Sequence, residues 1–159
     1  MKLILKNLDE LRDFAKEMAD KVLNNKSHKK AVVLALEGDL GAGKTAFAQA
    51  LAKELGVKER ILSPTFLIMR KYQIPKFKIQ INSKAQTLKN KLDNFYHLDV
   101  YRLKDKEELL MLGFKEILKD SQNIVLIEWA DKVKKIIPKD AMWFKFSHGA
   151  KESERIVES

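Results

Sequence analysis

Cysteine is absent from the 159 residues. That absence excludes disulfides, thiolate metal sites and cysteine nucleophiles together, and it fits a reducing cytoplasm. No apolar run approaches the roughly 18 residues of a membrane span, so no membrane association is expected. The opening Met1-Lys2-Leu3-Ile4-Leu5-Lys6 is too short and too interrupted for a signal peptide. Internal repeats are lacking as well. Acid is locally missing: from Arg70 to Leu92 there are seven Lys/Arg and no Asp/Glu. The formal net charge is +9. Such an excess suits a polyanion partner such as nucleic acid or nucleotide, and it equally fits a generally lysine-rich composition.

What is present reads as a folded α/β chain. Apolar residues make up 45% and charged residues 33%, as in a globular protein. The length favours a single domain over 1–159, with a Lys-rich insert around 73–94. Met1–Leu5 alternates weakly, as an edge strand does. Leu8, Leu11, Phe14/Ala15, Met18/Ala19 and Val22 then repeat with helical period, and Asn7 with Glu10 resembles a capping box. Ala31–Glu37 is a continuous apolar run, expected of a strand buried on both faces of a parallel sheet. Lys44–Leu55 is helical in pattern and Gly56 is placed to end it. Leu67-Ile68-Met69 is strand-like, and Ile74, Phe77, Ile79 and Ile81 alternate imperfectly with polar residues, as in a hairpin. Phe95–Tyr101 and Ile124–Ile127 read as strands, Asp105–Leu118 as a helix interrupted at Gly113. Trp143, Phe144 and Phe146 suggest another strand, and Arg155–Val157 a last one. The alternation predicts a central, mostly parallel β-sheet flanked by helices.

Gly38-Asp39-Leu40-Gly41-Ala42-Gly43-Lys44-Thr45 fits G-x-x-x-x-G-K-[ST]. Each residue type has a physical reason. Glycines let successive backbone N–H groups approach phosphate oxygens without a Cβ in the way. The helix opening at Lys44 aims its positive end at the same anion. Lys44 reaches the β- and γ-phosphates as a point charge, and the Thr45 hydroxyl can ligate Mg²⁺. The context, strand before and helix after, is that of a P-loop NTPase-like fold. The triphosphate expected is ATP, held with Mg²⁺.

Such a site usually needs a carboxylate at the end of a neighbouring buried strand. Glu128, after Ile124-Val125-Leu126-Ile127, and Asp99, between Leu98 and Val100, are both candidates. A solvated strand end for Glu128 and an outward-facing strand position for Asp99 are the plain alternatives. Trp129 either packs beside the nucleotide or fills the core. Asn90-Lys91-Leu92-Asp93 matches the guanine-reading N-K-x-D pattern, but it lies in a polar, lysine-rich stretch and the chain has no D-x-x-G. GTP is therefore not expected.

Taken in order, Gly38–Thr45, Ser63-Pro64-Thr65-Phe66, His97-Leu98-Asp99-Val100-Tyr101-Arg102, Leu109…Gly113 and Ile127-Glu128-Trp129 resemble the bacterial TsaE (YjeE-type) P-loop ATPases over nearly the whole chain. The resemblance implies ATP hydrolysis supporting N6-threonylcarbamoyladenosine formation on tRNA, in company with a TsaB–TsaD complex that performs the transfer itself. It implies that Gly38, Leu40, Gly41, Ala42, Gly43, Lys44 and Thr45 hold the phosphates. Thr45 and Glu128 would serve the metal, and Asp99 would be a second essential carboxylate. Thr65 would belong to a nucleotide-sensing segment, and Trp129, Asn7 and Arg155 would lie at the nucleotide. Between Tyr72 and Phe95 the family usually has a short turn, whereas here about twenty Lys-rich residues intervene. They would extend a hairpin, contact tRNA phosphates, or form a solvated loop. Arg102 is the candidate for an internal arginine finger. Two other functions stay open: a small-molecule kinase on the same fold, and a nucleotide-regulated RNA-binding module using the basic insert.

Overall fold

The computed structural model describes residues 1–24, 29–64, 66–76, 78–81, 84–87 and 92–159. β1 (Lys2–Leu5) leads into α1 (Leu8–Asn24), and β2 (Val32–Gly38) into α2 (Lys44–Glu54). β3 (Met69–Gln73), β4 (Lys78–Ile81), β5 (Lys84–Thr87) and β6 (Asn94–Asp99) follow. Then come α3 (Lys106–Met111), α4 (Phe114–Lys119), β7 (Asn123–Glu128), a 3-10 segment (Ala130–Ile136), β8 (Met142–His148) and β9 (Arg155–Glu158).

Seven strands make one sheet in the order β1-β9-β8-β2-β7-β6-β3. The middle four, β8-β2-β7-β6, are parallel to one another, and β1, β9 and β3 join antiparallel at the edges. The mostly parallel sheet expected from the apolar runs is thus present. Parallel strands must be covered on both faces, and two core clusters do this. On one face Leu34, Leu36, Leu126, Phe95 and Phe144 meet Leu11, Phe14 and Met18 of α1 and Phe47 and Leu51 of α2. On the other, Val33, Ala35, Val125, Ile127 and Leu98 meet Leu109 of α3, Phe114 of α4 and Val133 of the 3-10 segment. Phe14, Phe47 and Phe144 form a tilted and edge-on trio with centroids 5.2 to 6.2 Å apart, which welds both helices to β8.

Period two along the strands assigns the site residues to one face. Phe95, His97 and Asp99 share a side of β6, as Ile124, Leu126 and Glu128 share a side of β7, and that side carries α1 and α2. Asp99 and Glu128 are opposite each other in the parallel register. Both acids therefore emerge at the carboxyl ends of adjacent strands, next to the end of β2 and the start of α2.

Besides β6 ending at Asp99, which leaves Val100 and Tyr101 outside the strand, local expectations are met with three differences. Asn7 Oδ1 caps α1 by accepting from Asp9 and Glu10 N–H at 2.9 and 3.0 Å, but Glu10 reaches back to Lys6 N–H at 2.8 Å rather than to the cap itself. Leu67 and Ile68 are not strand: Leu67 N–H closes a turn on Pro64 C=O at 2.8 Å, and β3 starts only at Met69. The hairpin is β4 with β5, a separate two-stranded sheet whose second arm, Lys84–Thr87, lies beyond the alternating residues and within the Lys-rich insert. Residues 77, 82–83 and 88–91 of the Lys-rich stretch lie outside the described residues. Among the described residues no helix is long and apolar enough to cross a membrane.

Candidate functional site

The turn from β2 into α2 depends on its glycines. Gly38 has φ 123°, and a Cβ there would sit 1.8 Å from the Phe146 carbonyl oxygen. Gly43, at the N-cap of α2, has φ 104° and packs against the Arg155 side chain. The first intrahelical bond runs from Phe47 N–H to Gly43 C=O at 2.9 Å. Helix geometry then leaves the N–H groups of Lys44, Thr45 and Ala46 facing out of the N-terminus, where an anion is favoured. His148, at the end of β8, braces the loop with Nε2 3.2 Å from the Leu40 carbonyl.

Lys44 is 4% exposed, and its amine donates to the Gly38 and Asp39 carbonyls, both at 2.7 Å. The same amine lies 3.9 Å from the centroid of the Trp129 ring. Burial pulls the Lys44 ammonium below the usual lysine range, against the opposing pull of the Glu128, Asp39, Asp99 and Asp131 carboxylates. Trp129 reaches this position because the chain turns sharply after β7, with Trp129 at φ 61°, a strained value for a non-glycine residue. Its ring also packs on Tyr101, with centroids 4.8 Å apart.

Both carboxylates are buried, Asp99 at 5% and Glu128 at 2% exposure. The solvated-end and outward-facing readings are therefore set aside. Glu128 Oε2 accepts from the Thr45 hydroxyl at 2.8 Å, and Oε1 lies 2.7 Å from His97 Nε2. Asp99 Oδ1 accepts from Tyr101 N–H at 2.9 Å, and Asp99 N–H donates to the Ile68 carbonyl at 2.9 Å. Ile68 has φ 63°, an outlier for a β-branched residue, so the segment before β3 carries local strain where it touches Asp99.

These groups open onto one cleft of about 900 Å³. Its floor is Gly41, Gly43, Lys44 and Thr45, with Asp99, Glu128 and Trp129 on one side. Asn7, Leu8, Asp9 and Arg12 of the α1 end, with Ser153 and Arg155, close the other. So Asn7 and Arg155, far apart in sequence, line the same cleft as the phosphate loop. Arg155 is held by its own turn, donating through Nη1 to the Glu152 and Glu154 carbonyls at 2.5 and 2.8 Å. Arg102 does not line the cleft; its guanidinium stacks on the Phe66 ring at 4.5 Å. Thr65 lies outside the described residues.

Several residues at the site had no role assigned from sequence: Arg12, Ser63 and Ser153 in the cleft wall, His97 on Glu128, and His148 on the loop. His97 and Ser63 stand inside two of the motif runs of the sequence, and His97 also alternates with Asp99 along one strand. Nothing local marks Arg12, Ser153 or His148.

The donor set suits a hard cation. Thr45 and Glu128 offer oxygen only, and among the described residues no group of three or more His, Cys, Asp or Glu side chains could hold a metal alone. Phosphate oxygens and water would complete the octahedron that Mg²⁺ demands.

The family described as "Threonylcarbamoyl adenosine biosynthesis protein TsaE" matches residues 5–157. A "tRNA threonylcarbamoyladenosine biosynthesis protein TsaE" of Rickettsia prowazekii (strain Madrid E) is 36% identical over 134 residues, 84% of this chain and 76% of that protein. The protein of the same name from Borreliella burgdorferi is 36% identical over 126 residues, 79% of each chain. That from Bacillus subtilis (strain 168) is 34% identical over 125 residues, 79% of this chain and 67% of its own. A solved chain described as "Crystal structure of Bacillus subtilus YdiB" superposes with a TM-score of 0.66 at 27% identity, covering 99% of this chain and 82% of that one. With the family match spanning nearly every residue from β1 to β9, this α/β chain belongs to the TsaE family.

Proposed function

We propose that this chain binds ATP with Mg²⁺ in the cleft at Gly38–Thr45 and hydrolyses it in support of N6-threonylcarbamoyladenosine formation on tRNA. The observation that carries the reading is the convergence on one helix end: Lys44, Thr45 and the buried Glu128 stand together at the N-terminus of α2. The relatives' name supplies the pathway.

In this reading the loop N–H groups and Lys44 bind the β- and γ-phosphates, with Gly38, Leu40, Gly41, Ala42 and Gly43 shaping the cradle. Thr45 and Glu128 hold the Mg²⁺ side. When bound, the metal neutralises phosphate charge and fixes its own hydration shell. Asp99 or Glu128 orients the attacking water, and burial keeps both carboxylates out of bulk solvent. Trp129 shields Lys44, and Asn7 and Arg155 border the nucleoside side. Thr65 acts in the segment that senses the nucleotide. The transfer to tRNA belongs to TsaB–TsaD partners in the cytoplasm, and contact of this chain with tRNA is indirect or weak. Hydrolysis by the isolated chain is slow.

The test is phosphate release with and without the partners, comparing wild type with Asp99→Ala. Slow release that rises with the partners, and falls in the variant, is expected. An isolated chain as fast as the assembly, or ATP consumed without free phosphate, defeats the proposal.

A further inference from the structure

His97 is fully buried on β6, at 0% exposure. Its Nε2 is 2.7 Å from Glu128 Oε1, while the Thr45 hydroxyl is 2.8 Å from Oε2. Both oxygens of one carboxylate are thus held, one by the neighbouring strand and one by the helix that follows the phosphate loop. A carboxylate only accepts, so the bonded Nε2 carries the proton. Nδ1 is buried without a hydrogen-bond partner among the described residues. Arg70 stands directly opposite His97 in the β3–β6 register, and its buried Nε is likewise without a partner. Directly opposed strand residues share a face, and a guanidinium offers donors only. The imidazole plane is further fixed by Phe95, stacked at 6.4 Å and 28°.

We propose that His97 is a positioning residue for the hydrolytic site: its Nε2–H holds Glu128 Oε1 so that Oε2 stays aimed at Thr45 and the phosphate end of the cleft. The choice of side chain has a reason. Lysine or arginine at this place would cancel the charge of Glu128 and compete with a cation for it. An imidazole reaches the same oxygen through one ring nitrogen at 2.7 Å and orients the carboxylate from the side. Outer hydrogen bonds of this kind typically tune metal affinity about 10-fold or more. The inference rests on the reading of Glu128 as the metal-side carboxylate.

Two measurements test it. The first is the imidazole ¹⁵N–¹H spectrum of the whole chain, which is expected to show His97 protonated at Nε2; a proton on Nδ1 instead overturns the inference alone. The second is calorimetric titration with ATP, in Mg²⁺ and in EDTA, of wild type, His97→Phe and His97→Gln. Phenylalanine keeps the ring and loses the donor, while glutamine keeps an N–H donor. His97→Phe is expected to lose about 10-fold of affinity in Mg²⁺, with affinity in EDTA within about twofold, and His97→Gln to regain most of the difference. Equal losses in EDTA and Mg²⁺, or glutamine no better than phenylalanine, overturn it as a merely structural histidine would. If the phenylalanine variant does not fold, the glutamine variant and the wild-type spectrum still decide. Wild type that binds no ATP in either buffer overturns this inference and the proposed function together.

Discussion

Lys44 and Trp129 lie face to face, the ammonium 3.9 Å from the indole centroid, while the same amine donates to two carbonyls of its own loop. The buried cation is thereby provided for before any phosphate arrives. An incoming triphosphate must outbid those three contacts, and the indole feels the change. Trp143, the other tryptophan, does not line the cleft, and its ring lies under the Lys134 ammonium instead. Nucleotide binding should therefore alter tryptophan emission in wild type and in Trp143→Phe, and leave it unchanged in Trp129→Phe. A fluorescence titration of the three proteins checks this.

Lys44→Ala removes a charge-assisted contact worth about 1.5–3 kcal/mol. ATP affinity should fall roughly 10- to 100-fold, read by calorimetry.

The lowered pKa of Lys44 fixes two opposite pH dependences. Between the depressed folded value and the ordinary lysine value of the unfolded chain, the unfolded state binds the extra proton. The contribution of this group to stability without nucleotide therefore rises with pH across that window and is lost as pH falls through the folded value. Nucleotide binding needs the ammonium, so affinity should fall as pH climbs through the same folded value. Thermal melts and ATP titrations over alkaline pH should slope in opposite senses, and Lys44→Met should flatten both contributions.

Glu128→Gln keeps size and an acceptor oxygen for the Thr45 hydroxyl but loses the charge. ATP affinity in EDTA should persist within a few-fold and affinity in Mg²⁺ should fall about 10-fold or more, while phosphate release at saturating ATP drops by about 10²-fold or more, the range for losing a positioned acid–base or charge-stabilising group. Parallel calorimetry and phosphate-release assays separate the two effects.

Gly38→Ala would place a Cβ 1.8 Å from the Phe146 carbonyl oxygen at a φ of 123°. Neither strand can yield, because Gly38 is in register with Phe146 where β2 pairs with β8. The expected loss exceeds about 3 kcal/mol, or more than about 6 °C in Tm for a chain of this size. A thermal melt reads it.

Sequence alone determined the elements whose signals are local. The phosphate loop is a contiguous pattern of glycine, lysine and threonine. The buried strands are uninterrupted apolar runs, and Leu11, Phe14, Met18 and Val22 mark the α1 face that is buried. Gly113 marks the break between α3 and α4. Tertiary structure decided what depends on distant partners. Alternation puts Asp99 and Glu128 on a side of their strands, but only the β6–β7 register makes them neighbours and only α2 gives Glu128 the Thr45 hydroxyl. Arg155 reaches the cleft because β9 pairs with β8 and carries it against Gly43, and Asn7 does so because β1 pairs with β9. The imidazole of His97 on Glu128 has the same origin. A side chain's chemistry is written in its own residue, whereas its partners are set by strand order and register, which the sum of weak contacts over the whole chain selects.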